Sequence, residues 1–119
     1  MPTSIKDMLA SANASVPRVD RDQAMALIKD KNALVVDVRE TEEFSTGHLP
    51  GAKHVPRGYL ESRIEGVVPD HSQRVILYCA SGGRSALAGK ALQDLGYQDV
   101  RNLGAFKDWA EKGGPVEKV

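Results

Sequence analysis

The sequence predicts one α/β domain with a mainly parallel β-sheet that is covered by helices on both faces. Two short runs, "ALVVDV" (33–38) and "RVILYC" (74–79), are nearly all apolar. Such runs are typical of strands buried on both faces of a parallel sheet. Helical patterns alternate with the strands along the whole chain, which is the order expected of an α/β fold. A length of 119 residues with 41% apolar residues is enough for one hydrophobic core.

The first half of the chain carries two predicted helices before the first strand. Residues 3–14 can form a short helix with a weak apolar face, and we treat residues 1–15 as an N-terminal extension of a domain that spans 16–119. "VDRDQAMALIKDKN" is a stronger helix, because Asp20 can cap it and Gln23 can reach back to the cap. After the first strand, "RETEEFSTGHLPGA" begins as a helix with acidic residues, and "AKHVP" is a short strand.

The second half repeats this alternation. "GYLESRIEGVV" is a helix with Leu60 and Ile64 four residues apart, and "PDHSQ" is a turn. "RSALAGKALQDLG" follows the second strand as a helix that Gly96 ends. "DVRNL" is a weak strand, and "AFKDWAEKGG" is the last helix, with Trp109 as a core anchor. The buried face of the helix after the second strand comprises Leu87, Ala88, Ala91, Leu92 and Leu95.

Composition and charge exclude several classes of function. A formal net charge of zero gives no sign of nucleic-acid binding or of a polybasic membrane surface. The three histidines are spread apart, so a zinc site of the usual kind is not expected, and one cysteine rules out an internal disulfide. Lys6 and Asp7 stand where a secretory signal would be apolar, and no apolar run approaches the roughly 20 residues that span a bilayer. We therefore expect a cytoplasmic protein.

The only cysteine, Cys79, ends the second apolar strand, at the sheet edge where open α/β folds bind ligands. A tight turn of small residues and then the start of a helix can direct several backbone N–H groups at one anion. Arg84 adds a permanent positive charge at the helix start. A thiol in this position is expected to be biased toward the nucleophilic thiolate. The turn and helix start comprise Ala80, Ser81, Gly82, Gly83, Arg84 and Ser85.

Three other interpretations of this segment can be compared with its sequence. A lone cysteine is most often a small buried apolar residue. A nucleotide-binding P-loop is excluded because its G-x-x-x-x-G-K-[ST] pattern is absent, and a serine nucleophile elbow, G-x-S-x-G, is absent as well.

Three separated stretches together resemble a rhodanese domain of the single-domain sulfurtransferase kind. They are "VVDVRE" with the following "EEFSTGHLPGAKHVP", the loop "CASGGRS", and "NLGAFKDWAEKGGPV". The resemblance covers about residues 19–116 and implies a three-layer sandwich with a mainly parallel five-stranded sheet. Two features depart from the family: Gly104–Ala105 replaces a common Gly-Gly pair, and no lysine stands beside the loop arginine.

The resemblance implies chemistry through a persulfide of Cys79. The thiolate would take the outer sulfur of a small anionic donor such as thiosulfate and pass it to cyanide, a thiol or a protein acceptor. The resemblance implies no metal or organic cofactor. Protein tyrosine phosphatases and arsenate reductases are the enzyme alternative, but they place five residues between cysteine and arginine, whereas this chain places four. A non-catalytic rhodanese module for protein binding is the other alternative, although such modules commonly lose the cysteine.

The remaining candidate residues have two interpretations each. Arg84 is expected to assist electrostatically, or else to order the loop through an ion pair. Ser85 is expected to hydrogen-bond the thiolate or persulfide, or else the backbone at the helix terminus. Asp37 and Arg39 are expected to brace loops near the site, or else to take part directly in the chemistry. Glu43 and His48 are expected to order the segment that contains them, the alternative for His48 being a general base for Cys79. Arg57 is expected to line the mouth of the pocket, or else to be a solvated surface residue.

Overall fold

The computed structural model describes residues 3–118. Residues 1, 2 and 119, which belong to the predicted extension and domain, lie outside this range. Helices and strands alternate as the sequence predicts. The elements are α1 (Ile5–Ser15), α2 (Arg21–Lys31), β1 (Leu34–Asp37), α3 (Thr41–Thr46), β2 (Lys53–His54), a 3-10 turn (Arg57–Tyr59), α4 (Leu60–Val67), β3 (Val75–Cys79), α5 (Gly83–Asp94), β4 (Val100–Ala105) and α6 (Phe106–Glu111).

The sheet within residues 3–118 has four parallel strands in the order β2-β1-β3-β4. The parallel sheet is confirmed, but it has four strands where five are expected. At the free edge of β4 the chain makes a single parallel bridge, between Arg18 and Asn102. The neighbouring Pro17 accepts from the Asn102 N–H but has no N–H of its own, and the N-cap of α2 follows at Asp20. A fifth strand therefore cannot extend beyond this bridge.

Side chains that alternate along the strands build a core on each face of the sheet, which confirms the three-layer sandwich. Along β3, Val75, Leu77 and Cys79 face one core, and Ile76 and Tyr78 face the other. The first core is closed by α4 and α5, and the second by α2 and α6. The cysteine sulfur consequently lies on the α5 side of the sheet.

Local signals in the sequence correspond to observed caps. Asp20 accepts from the Gln23 N–H at 2.8 Å, and the Gln23 side chain accepts from the Asp20 N–H at 2.9 Å, so the predicted capping box is confirmed. Gly96 follows the last turn of α5 with a φ of +99°, a conformation that glycine adopts without strain. In the described part of the chain, every helix is too short or too polar to cross a membrane.

The segment that contains helix α1 packs against α5 at two glycines of α5. Val16, which follows α1, is 1% exposed and joins the α5-side core. It lies against Gly89 of α5, and Leu9 lies near Gly83 at the start of the same helix. The Gln93 side chain donates to the Ser15 carbonyl at 2.9 Å and completes the contact. We propose that the domain itself begins at residue 16 and that α1 is an added helix covering α5.

Two helical glycines test this contact. A Cβ at Gly89 would lie 2.8 and 2.9 Å from the two methyl groups of Val16, whereas a Cβ at Gly66 in α4 would meet nothing within 4 Å. Gly89→Ala is expected to lower the free energy of unfolding by about 1–2 kcal/mol, because overpacking outweighs the better helix propensity of alanine. Gly66→Ala is expected to raise it by about 0.5 kcal/mol. Urea unfolding of both variants measures the difference, and equal effects would contradict the close packing of Val16.

Candidate active site

Two backbone N–H groups of the loop after β3 point at the Cys79 sulfur. The Sγ atom accepts from the Gly82 N–H at 3.0 Å and from the Ser85 N–H at 3.4 Å. Gly82 has a φ of +96°, and a Cβ there would lie 3.4 Å from the Cα of Gly104. The turn therefore favours glycine both for its backbone angle and for the close approach of β4. Hydrogen bonds of this kind stabilise the charged form of an acceptor.

The amino end of α5 lies directly behind the loop. The helix begins at Gly83, so the N–H groups of its first turn have no partner within the helix. The helix runs for 12 residues, which is long enough to place the positive end of its dipole at the sulfur. The predicted loop residues are thus brought together around Cys79, which is fully buried, while Ala80 and Ser81 stand exposed at the outside of the turn.

Arg84 is held by a carboxylate rather than by the sulfur. Its Nη1 and Nη2 donate to the two carboxylate oxygens of Glu43 at 2.9 and 3.0 Å. The hydrogen bond from Arg84 lowers the pKa of Glu43 to about 2, against the opposing effect of burial, so the pair stays charged at neutral pH. Glu43 in turn raises the pKa of Arg84, and the nearby charge of Cys79 adds to this rise. Of the five N–H groups of the guanidinium, three are not used by Glu43.

Ser85 belongs to a buried polar cluster that the sequence analysis did not identify. Its hydroxyl lies 2.7 Å from the Asn102 Oδ1, 3.2 Å from the Gly82 carbonyl and 3.4 Å from the Cys79 sulfur. Asn102, on β4, is fully buried and also contacts the Gly104 N–H at 2.8 Å. An asparagine inside a predicted strand was the available signal, because asparagine is depleted in strands and needs partners when buried.

Asp37 and Arg39 form a buried ion pair on the opposite face of the sheet from Cys79. Arg39 donates to the Asp37 carboxylate through Nε and Nη2, the latter at 2.7 Å, and Nη2 also donates to the Gly47 carbonyl at 2.6 Å. The guanidinium lies 4.3 Å above the centre of the Phe106 ring. None of the side-chain hydrogen bonds of this pair reaches residues 79–85. The pair fixes the end of α3, the helix that carries Glu43.

The side chains of Arg57 and His48 form their hydrogen bonds with groups outside the loop 79–85. Arg57 donates to Glu61 at 2.7 Å and lines a groove of about 460 Å³ between α1, α4 and α5, whose lining includes no residue of the loop 79–85. His48 is 5% exposed, contacts the Phe44 carbonyl at 2.9 Å through Nδ1 and contacts Glu117 at 3.3 Å through Nε2. Among residues 3–118, no group of three or more His, Cys, Asp and Glu side chains is arranged to hold a metal ion.

Comparison with known proteins extends the resemblance over most of the chain. The family model of the rhodanese-like domain matches residues 20–112. The thiosulfate sulfurtransferase PspE of Escherichia coli is 37% identical over 75 residues, which cover 63% of this chain and 72% of that protein. The thiosulfate:glutathione sulfurtransferase of Homo sapiens is 30% identical over 112 residues, covering 83% of this chain and 97% of the relative. A longer Bacillus subtilis relative is 30% identical over 106 residues, and the chain spans 56% of its length.

Solved structures agree with this assignment. The human single-domain sulfurtransferase TSTD1 superposes with a TM-score of 0.74 at 28% identity, covering 83% of this chain and 99% of the other. A Rhodopseudomonas palustris protein of unknown function, described as a possible tyrosine phosphatase, superposes with a TM-score of 0.86 at 35% identity, covering 98% and 99% of the two chains. The family match, the parallel sheet and the cysteine loop together show that the chain belongs to the rhodanese-like domain family.

Proposed function

We propose that this protein is a sulfurtransferase in which Cys79 carries a sulfane sulfur as a persulfide. The observation that carries the proposal is the pair of N–H donors, from Gly82 and Ser85, directed at the Cys79 sulfur. Donors so placed favour the thiolate, and the thiolate is the form that attacks sulfur. The relatives named thiosulfate sulfurtransferase and thiosulfate:glutathione sulfurtransferase support the same reaction class.

The first half-reaction loads the cysteine. The Cys79 thiolate attacks the outer sulfur of thiosulfate, a new S–S bond forms, and the S–S bond of the donor breaks. Sulfite leaves with the electron pair of that bond, so no external oxidant or reductant is needed. The first N–H groups of α5, which have no partner within the helix, are available to the outer sulfur and to the departing anion. Because Cys79 is fully buried, we expect the exposed segment at Ala80 and Ser81 to move as the donor enters.

The second half-reaction unloads the cysteine. Cyanide or a thiolate such as that of glutathione attacks the outer sulfur, and the Cys79 thiolate leaves with the electron pair of the persulfide bond. The product is thiocyanate or an acceptor persulfide. This double displacement needs only the thiol, its N–H donors and a nearby cation, which Arg84 supplies. Gly82 and Gly83 contribute through their backbone, whereas Asp37 and Arg39 support the site from the other face of the sheet.

Phosphate-ester hydrolysis is the competing reaction, because a structural neighbour is described as a possible tyrosine phosphatase. The loop of this chain places four residues between Cys79 and Arg84, one fewer than the phosphatase loop. A tetrahedral phosphoryl group needs a wider ring of donors than a single sulfur atom. We therefore favour sulfur transfer.

Intact-mass measurement after incubation with thiosulfate tests the proposal. We expect the protein to gain one sulfur atom, to lose it on addition of cyanide, and to release an equal amount of thiocyanate. Cys79→Ser is the matched control and is expected to gain nothing, because a serine hydroxyl is a weak nucleophile.

The donor panel separates the alternatives. Mercaptopyruvate and a polysulfide are tested beside thiosulfate, and an aryl phosphate is tested for hydrolysis. A sulfur adduct with any of the three donors supports the proposal and identifies the donor class. If no donor leaves sulfur on Cys79 and no turnover follows, the protein is a binding module instead. Cys79-dependent hydrolysis of the aryl phosphate without sulfur uptake would identify a phosphatase.

A further inference from the structure

The Ser85 hydroxyl has one proton and three acceptors within reach. Asn102 Oδ1 is nearest at 2.7 Å, the Gly82 carbonyl lies at 3.2 Å, and the Cys79 sulfur lies at 3.4 Å. Only one of them can receive the proton in a strong hydrogen bond at a time. The choice decides whether the hydroxyl stabilises a thiolate at Cys79 or leaves it to the backbone N–H groups.

Two backbone groups fix the orientation of the Asn102 amide. One end of the amide lies 2.8 Å from the Gly104 nitrogen, which can only donate, and the other end lies 3.3 Å from the Gly82 oxygen, which can only accept. The amide oxygen must therefore face Gly104, and the NH₂ group must face Gly82. A flipped amide would set donor against donor and acceptor against acceptor at these two contacts.

This orientation also fixes the Ser85 proton. The amide oxygen that accepts from Gly104 is the same atom that lies 2.7 Å from the Ser85 hydroxyl oxygen. Two oxygens at that distance need a proton between them, and an amide oxygen has none to give. Ser85 therefore donates to Asn102 and turns a lone pair toward the sulfur.

We propose that Asn102 is a positioning residue that holds the Ser85 hydroxyl proton away from Cys79. The inference rests on the proposed role of Cys79 as the nucleophile. Its consequence is that the hydrogen bonds to a thiolate at Cys79 come from backbone N–H groups and not from the hydroxyl. Cys79, Ser85 and Asn102 are all fully buried, so bulk solvent does not compete for the hydroxyl.

The arrangement favours reactivity over stabilisation of the thiolate. A further hydrogen bond to a thiolate makes it a weaker base, and the nucleophilicity of a thiolate falls as its basicity falls. A hydroxyl held by Asn102 leaves more electron density on the sulfur. It also leaves an oxygen lone pair where the S–H of the neutral thiol can donate.

Titration of the thiolate by its ultraviolet absorbance tests the proposal, with the Cys79→Ser spectrum subtracted to remove the tyrosines. Ser85→Ala is expected not to raise the midpoint, because the hydroxyl does not donate to sulfur. Asn102→Ala is expected to lower the midpoint by about half to one pH unit, because the freed hydroxyl turns to the thiolate. Adding Ser85→Ala to Asn102→Ala is expected to reverse that decrease.

Each contrary outcome has a distinct meaning. A rise of half a unit or more in Ser85→Ala would show that the hydroxyl already donates to sulfur, and the proposal would be wrong. If the midpoint rises or stays unchanged in Asn102→Ala, Asn102 only supports the Gly82 carbonyl and the proposal is wrong. Asn102→Leu, of similar volume, replaces Asn102→Ala if the latter does not fold, and the Ser85→Ala titration decides alone if neither folds. The titration needs no sulfur donor, so it stands even if the protein transfers no sulfur.

Discussion

Replacing Asp37 by alanine is expected to lower the free energy of unfolding by about 3–5 kcal/mol, the range for breaking a buried ion pair by removing one partner. Asp37 is fully buried and Arg39 is 4% exposed. Burial acts to lower the pKa of Arg39, but the hydrogen bond and the charge of Asp37 raise it above its usual value. A guanidinium cannot shed its proton in a protein, so Asp37→Ala leaves an uncompensated buried charge.

The measurement is urea unfolding followed by the fluorescence of Trp109, the single tryptophan, which is 4% exposed in the folded chain. Glu111→Ala is the matched control, because the pair of Glu111 with Lys107 is exposed and 3.9 Å apart, and its loss is expected to cost at most about 0.5 kcal/mol. The double replacement Asp37→Leu with Arg39→Met is expected to recover much of the loss. If Asp37→Ala lowered the free energy of unfolding by less than about 1 kcal/mol, the Arg39 guanidinium would have to become exposed to water in the variant.

Loss of Asp37 is also expected to reach the active site through a chain of contacts. Arg39 holds the Gly47 carbonyl at the end of α3, and Glu43 on α3 holds Arg84. Without Asp37, Arg39 loses the carboxylate that fixes its position, and the end of α3 loses its anchor. We therefore propose that Asp37 and Arg39 support the site structurally, from the other face of the sheet.

The sequence predicts the fold well because its strongest signals are local. Buried parallel strands are continuous apolar runs, and the capping box at Asp20 and the glycine at Gly96 mark helix ends within a few residues. The strand count is less predictable. Whether the chain near Arg18 forms a strand or a single bridge depends on an edge position where Pro17 removes a donor. A resemblance to a family cannot specify such an edge.

The candidate site is predictable only as far as it lies in one loop. Cys79 and the residues up to Ser85 are consecutive, so strand, turn and helix start place them together. The partners from elsewhere are not predictable in this way. Glu43 is 41 positions from Arg84, and Asn102 is 17 positions from Ser85. Both contacts depend on how β4 and α3 pack on the loop. The asparagine in β4 signals a need for buried partners, but local sequence patterns do not show which residues those partners are.

Replacing Arg84 by alanine is expected to lower kcat/KM for thiosulfate by about 10- to 100-fold, because a hydrogen-bonded contact with a charged group contributes about 1.5–3 kcal/mol. The fold is expected to survive, since the pair with Glu43 is about one-third exposed at each side chain and contributes at most about 1 kcal/mol. Turnover with a neutral organic trisulfide should fall much less, because that donor carries no charge for the guanidinium to attract. Raising the salt concentration should reduce the difference between the two donors.

Glu43→Gln separates an electrostatic role of Arg84 from a merely structural one. This variant keeps the cation and removes the adjacent negative charge, so the KM for thiosulfate is expected to fall while Arg84→Ala raises it. If the ion pair served only to brace the loop, both variants would lose activity together and both donors would suffer equally. Arg84→Lys adds a third comparison: it keeps the charge but loses the paired contact with both oxygens of Glu43. Partial retention of thiosulfate activity in that variant would assign the larger share of the effect to charge.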